Sequence, residues 1–194
     1  MPKLIDHDAR RAEIAEALWR VVVRDGVSGV SIRDVAAEAG ISAGSLRHVF
    51  TDKEDMLAFS MRLIYIRVGE RVNGHTSISD PMRRAEAILS EVLPFDDNRR
   101  AEMHVNLALV TDAVTHPGLA AAGLEAHDGL RSLSRHVLVD LRDHGLVDPG
   151  RDLEAEAMRL HALIDGLAVH LLLGHNDAPR RVRMLVRDHL ASLR

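Results

Sequence analysis

Residues 31–53 read SIRDVAAEAGISAGSLRHVFTDK. Ser31 and Asp34 make a Ser-x-x-Asp start, in which the Ser31 hydroxyl can accept a backbone N–H of a first helical turn. Ile32, Val35, Ala36 and Ala39 then recur at helical spacing and give a short helix one apolar face. Gly40 ends it, because glycine takes the left-handed conformation without a Cβ penalty. Ile41 fills the turn, and Ser42 is placed to cap a second short helix running to about Phe50. Two short helices joined by a tight glycine-containing turn make a helix-turn-helix.

In that motif the second helix enters the DNA major groove and its first residues meet base edges. Here the first turn is small: Ala43, Gly44 and Ser45. Small residues let the backbone approach a duplex, and a helix N-terminus favours a phosphate. Arg47 and His48 follow as donors, while Leu46, Val49 and Phe50 supply the buried side. Asp52 is placed to cap a third helix whose first residue, Lys53, falls beside the DNA backbone. The expected DNA contacts are Ser31, Arg33, Ser42, Ala43, Gly44, Ser45, Arg47, His48 and Lys53. A helical pair that merely packs is the competing reading. Two caps, a small-residue turn and Phe50-x-x-Lys53-Glu54 in one string are more specific than that.

Residues 10–57 resemble the DNA-binding domain of the tetracycline-repressor (TetR) family of transcriptional regulators. The matching elements are Val22-Val23-Arg24-Asp25-Gly26 ending a first amphipathic helix, Val30 to Ala36, Ala39-Gly40-Ile41-Ser42, Gly44-Ser45-Leu46, and Phe50-x-x-Lys53-Glu54-x-x-Leu57. The chain departs where the family often has Tyr, at Arg47, and where it often has His, at Val49. A Tyr–phosphate contact is therefore not carried over, and Arg47 or His48 is left to replace it. Residues 160–172, LHALIDGLAVHLL, resemble the C-terminal domain of the betaine-pathway repressor subgroup. The resemblance implies a three-helix DNA-binding domain over residues 1–52 and an antiparallel helical body for effector binding and dimerisation over 53–194. It implies a regulator, most often a repressor, that a small-molecule effector releases from a pseudo-palindromic double-stranded operator.

Composition fits a soluble cytoplasmic protein without a membrane span. At 194 residues the chain can bury a real core. It has no Cys, hence no disulfide, thiolate metal site or Cys nucleophile. The most apolar stretch, Leu167 to Gly174, is interrupted by His170 and far too short to cross a bilayer. The start, MPKLIDHDARR, has no apolar segment of a secretory signal and reads as a polar arm, with Lys3, Arg10 and Arg11 available to phosphate. Net charge is −4, so DNA binding must rest on local placement. Arg33, Arg47, His48 and Lys53 can gather on one face, with Asp6, Asp8, Glu13 and Glu16 on another. Few neutralised phosphates imply modest non-specific binding.

Pro81, Pro94, Pro117, Pro149 and Pro179 all fall between helical patterns. Helices are expected at about 9–25, 32–39, 43–49, 53–73, 81–93, 98–115, 118–144, 152–173 and 179–192, with Gly145 and Gly174 as C-caps. The expected fold is all-α, with about nine helices and no strand.

The helix at 53–73 keeps Leu57, Met61, Ile64, Tyr65, Val68 and Val72 at helical spacing and can carry a body rearrangement to the head as a swing. The helix at 152–173 is apolar nearly all round after Leu160, so it needs cover on more than one side. With 179–192 it is expected to form a two-fold, four-helix homodimer interface through Leu160, Leu163, Leu167, Leu171, Val182, Leu185, Val186 and Leu190. Arg180, Arg181, Arg183 and Arg187 then make a solvated face. Polar groups on apolar helices either cap neighbours or orient a ligand. The effector candidates are Tyr65, Met103, Leu107, Thr111, His161 and Asp165. The subgroup resemblance suggests a quaternary-ammonium effector, but such cations sit in aromatic cages. Only Phe59, Tyr65 and Phe95 remain once Trp19 and Phe50 are assigned to the head, so a choline-like ligand is disfavoured.

No two of the 12 histidines lie three or four apart, and neither His-Glu-x-x-His nor Glu-x-x-His occurs. His170 and His175 are five apart, with Gly174 between them. No metal and no cofactor are expected. Asp112–His116, Asp140–His144 and His161–Asp165 are i, i+4 pairs of the kind that stabilise helix surfaces. A small helical enzyme would need a nucleophile with its base, a metal set or a phosphate loop, and none is found. A protein-interaction bundle that has lost DNA binding stays open, because residues 1–55 hold more Asp and Glu than Lys and Arg and the family's Tyr is missing.

Overall fold

A computed structural model describes residues 7–174 and 178–194. Lys3 and Asp6 of the arm, and His175, lie outside the described residues. Among the described residues there are nine helices and no strand. They are α1 (His7–Asp25), α2 (Ile32–Glu38), α3 (Ala43–Arg47), α4 (Lys53–Asn73), α5 (Pro81–Glu91), α6 (Asp97–Ala113), α7 (Pro117–Asp143), α8 (Leu153–Leu173) and α9 (Ala178–Ala191).

Side-chain caps set most of the starts. Ser31 Oγ accepts the Asp34 N–H at 3.2 Å, and Asp52 Oδ1 accepts the Asp55 N–H at 2.8 Å. Asp80 accepts the Arg83 N–H at 2.9 Å, with Pro81 at the first helical position. Asp96 accepts the Arg99 N–H at 2.8 Å. Asp152 accepts those of Glu154 and Ala155 at 3.0 and 3.3 Å. Each satisfies donors that a helix cannot pair internally. Gly174 does end α8, but in an extended conformation, with φ −81° and ψ 168°. Glycine is needed there for space: a Cβ would lie 2.3 Å from the His170 carbonyl oxygen.

The chain divides into two compact units. The first runs through Ile66 and includes His104–Ala126. Ile14, Leu18, Val22, Val35, Leu46, Phe50, Leu57 and Met61 are all buried in it. Burial of each large apolar side chain contributes about 1.5–3 kcal/mol relative to exposure. The Trp19 indole N–H donates to the buried Ser60 hydroxyl. Arg62 grips Glu125 with Nε at 2.7 Å and Nη2 at 3.2 Å, tying α4 to α7. The Glu54 carboxylate lies so close to the start of α7 that a Cβ on Gly118 would fall 1.7 Å from Oε2.

The second unit comprises Arg67–Met103 and His127–Arg194. Its core joins Ile88, Leu89 and Leu93 to Leu138, Leu141, Leu160, Ile164, Leu171, Val186 and Leu190. Arg71 bridges Glu91 at 3.0 Å and Glu102 at 2.8 Å. Arg84 forks onto Asp140, with Nε at 3.0 Å and Nη2 at 2.8 Å. Arg100 donates to the Leu171 and Leu172 carbonyls at 2.8 and 3.1 Å, satisfying acceptors at the end of α8.

Candidate nucleic-acid interface

The turn between α2 and α3 is built from one positive-φ glycine and one serine cap. Gly40 has φ +66°, and the Ile41 N–H closes back onto the Ala36 carbonyl at 2.9 Å. Ser42 is extended, and its Oγ accepts the Ser45 N–H at 3.0 Å. Leu46 and Phe50 are buried and anchor α3 to the head. Gly44, Ser45, Arg47 and His48 are exposed, with Ala43 half-buried beside them. Ser31, Arg33 and Ser42 are also exposed. α3 ends at Arg47, shorter than the sequence pattern suggests, with His48 as its C-cap at φ −78° and ψ −17°.

Lys53 differs from the others. It is half-buried, and its Nζ donates to the Val27 carbonyl at 3.3 Å. The ammonium is thus anchored to the loop after α1, with further donors left over.

The head's acidic balance is resolved by pairing. Glu38 accepts from Arg20 at 2.7 Å and from Arg24 at 3.0 Å. The Arg20 hydrogen bond, followed by that of Arg24, holds the Glu38 carboxyl below its usual range. Arg11 pairs with Asp55 at 3.2 Å and lies over the Phe50 and Phe59 rings. Arg10 pairs with Glu13 at 2.8 Å. Among the described residues no carboxylate pairs with Arg33 or Arg47. The two guanidiniums on the helix-turn-helix therefore keep their charge, while Glu13, Asp25, Glu38 and Asp55 are matched by arginines.

In the second unit, six of the eight positions expected at a dimer interface lie in the chain's own core: Leu160, Leu167, Leu171, Val182, Val186 and Leu190. Leu163 is half-buried, and Leu185 is 45% exposed. The outward stripe of α8 carries Met158, Ala162, Asp165, Gly166, Val169 and Leu173, and Met184 joins Leu185 on α9. Met158 is 64% and Leu173 81% exposed. Sequence reasoning passed over this stripe because a helix apolar on all sides gives no phase.

The effector candidates are placed as follows. In the first unit the Tyr65 hydroxyl donates to Asn106 Oδ1. Leu107 is half-buried, and Thr111 is exposed and donates to the Leu107 carbonyl at 2.8 Å. In the second unit Met103 is half-buried. His161 is buried, with Nε2 3.3 Å from Oδ2 of the exposed Asp165, so the pair joins an interior ring to a surface carboxylate. The His127 ring packs on His161 at 4.7 Å between centroids. Burial holds the His161 pKa below the usual imidazole value, against the pull of Asp165. The other i, i+4 pairs, Asp112–His116 and Asp140–His144, close at 3.4 and 3.6 Å between an exposed imidazole and a half-buried carboxylate.

A capped, small-fronted α3 with unpaired arginines beside it defines a helix-turn-helix DNA-binding regulator. Comparison with known proteins agrees. The pattern described as "Bacterial regulatory proteins, tetR family" matches residues 14–58, and that of the "BetI-type transcriptional repressor, C-terminal" matches residues 81–194. The chain is 36% identical to the HTH-type transcriptional regulator PksA of Bacillus subtilis (strain 168), over 100% of this chain and 94% of that one. A transcriptional regulator from Rhodococcus sp. Rha1 superposes with a TM-score of 0.80 at 30% identity, covering 94% of this chain and 95% of the other. A regulator from Saccharomonospora viridis, solved in complex with choline, superposes with a TM-score of 0.81 at 26% identity, over 93% and 95% of the two chains. The chain belongs to the tetR family of bacterial transcriptional regulators, and its helix-turn-helix head is the family's DNA-binding element. No helix among the described residues is long and apolar enough to cross a membrane.

Proposed function

We propose that this regulator acts in the cytoplasm as a homodimeric repressor, reading a pseudo-palindromic operator with α3 and leaving it when a small molecule binds the body. The observation that carries the DNA contacts is the exposed row Ser42, Gly44, Ser45, Arg47 and His48 on a helix held by a side-chain cap. Ser31, Arg33, Ala43 and Lys53 flank it, the first two as exposed donors and the last as an anchored ammonium. Repression follows from occlusion of the operator. The reading head spans residues 1–52 and the effector-binding and dimerisation body residues 53–194.

The dimer is assigned to the outer faces of α8 and α9. Exposed Met158, Val169, Leu173, Met184 and Leu185 supply apolar area. Ala162 and Gly166 let a second backbone come close, since a Cβ on Gly166 would meet nothing within 4 Å. Several large apolar side chains exposed on two neighbouring helices mark an interaction site. Of the eight positions named from the sequence, Leu163 and Leu185 belong to this surface, and the other six support it from beneath.

Tyr65, Met103, Leu107, Thr111, His161 and Asp165 stay assigned to effector response, with the His161–Asp165 pair the strongest polar element. The choline bound by the Saccharomonospora viridis protein makes a quaternary ammonium the natural comparison. Trp19 and Phe50 are buried, Phe59 packs on Phe50 and under Arg11, and Arg183 covers Phe95. A non-cationic effector suits this chain better than an aromatic cage does. α4 runs without Pro from Lys53 to Asn73, so an effector that prefers one setting of this helix changes the spacing of the two heads.

In vitro selection from random duplexes tests this function. Expected is a two-fold motif with half-sites one helical turn apart, about 34–36 Å, or a multiple of it. Enrichment of no motif would remove the repressor assignment and favour a protein-interaction bundle.

A further inference from the structure

α5 and α9, both in the second unit, line an open cleft of about 250 Å³. Leu93 and Val186 form an apolar floor and are both buried. Glu86, Phe95, Arg183 and Arg187 stand around it. The two arginines are not equivalent. Arg187 is held by Glu86 through Nε and Nη2, each at 2.9 Å, which neutralises the pair. Arg183 instead lies over the Phe95 ring, 3.8 Å from its centroid. Among the described residues no carboxylate pairs with it.

Stacking occupies the face of a guanidinium and leaves its edge donors available. Those donors form a planar fork that matches the two oxygens of a carboxylate. The ring also fixes the fork's position, so little conformational freedom is lost when a ligand binds. The lining therefore combines one uncompensated positive charge, a preset bidentate donor and an apolar floor. Ligand pockets generally measure about 300–1,000 Å³, so this smaller cleft suits a compact acid.

We propose that the α5–α9 cleft binds a small amphipathic carboxylate, with its oxygens on Arg183 and its short apolar chain on Leu93 and Val186. The site uses none of the positions assigned to DNA contact or effector response, and it stands or falls without them.

The test is a titration of methyl-labelled protein with 4-methylpentanoate and, separately, with its neutral analogue 4-methylpentanamide, followed through the Leu93 and Val186 methyl resonances. Expected is a saturable shift with the acid and affinity for the amide at least about tenfold weaker, since the charge-assisted pair is lost. Arg183→Gln should weaken acid binding by about tenfold or more, and Arg183→Lys, which keeps charge without the fork, should fall between. Arg183 is exposed, so neither change should disturb folding. Equal affinity for acid and amide, no saturable shift at these methyls, or unchanged binding by Arg183→Gln would each overturn the proposal.

Discussion

Ser42 Oγ accepts the Ser45 backbone N–H at 3.0 Å, and the two hydroxyls lie 2.9 Å apart. One oxygen thus starts α3 and holds the Ser45 hydroxyl that we propose meets DNA. Ser42→Ala should cost about 1 kcal/mol of stability, the usual loss for an N-cap, and weaken operator binding. Ser45→Ala should change stability by less than about 0.5 kcal/mol, as at ordinary surface positions, yet also weaken binding. Urea unfolding alongside DNA titration separates the two. Equal stability losses would contradict the cap assignment.

Gly40 sits at φ +66°, and a Cβ there would meet nothing within 4 Å. The cost of Gly40→Ala is therefore backbone strain alone, about 1–2 kcal/mol. Gly40→Asn should cost less, because Asn tolerates the left-handed region. Thermal unfolding of the two variants checks this ordering, and an Ala variant as stable as the parent would refute it.

Leu185 and Leu171 distinguish the proposed interface from the core. Leu185 is 45% and Leu171 2% exposed. Leu185→Glu, alone or with Met184→Glu, should give a folded monomer with weakened operator binding. Leu171→Glu buries an unpaired charge in the chain's own interior and should fail to fold. Sedimentation and circular dichroism read both outcomes. A Leu185→Glu, Met184→Glu protein that remains a dimer would move the interface elsewhere.

His161 links stability to acidity. Burial lowers its pKa in the folded chain; Asp165 opposes this, while His127 and Arg131 reinforce it. The unfolded imidazole titrates near about 6.5. The neutral ring is the form the fold prefers, so its contribution is complete above that value and is lost as pH falls toward the lowered folded pKa. His189, half-buried and lowered by that desolvation, acts in the same direction. Denaturation between about pH 7 and 5 should show falling stability, with a shallower fall in His161→Gln. Identical slopes would exclude His161 as a source.

Local signals carried most of the fold. Ser31, Ser42 and Asp52 each marked a helix start, because a cap is read from adjacent residues. The head was legible for the same reason. What pairs helices far apart in sequence was not. Arg71 with Glu91 and Glu102, Arg183 over Phe95, and His127 on His161 depend on tertiary placement and leave no spacing to read. The phase of α8 was also hidden: Leu160, Leu167 and Leu171 face inward while Met158, Val169 and Leu173 face outward, and all six are apolar.

The most direct measurement is a fluorescence-anisotropy titration of the protein with duplex from beside its own gene, against a scrambled duplex, over a salt series. Expected is tighter binding to the native duplex by roughly 10³-fold or more. The log affinity should fall linearly with log salt, by about 0.9 for each phosphate contacted. Arg47→Ala should lower affinity by the equivalent of about 1–3 kcal/mol if it reads a base, with unfolding unchanged. Equal binding to native and scrambled duplexes, or Arg47→Ala affinity unchanged at every salt concentration, would contradict DNA reading by α3.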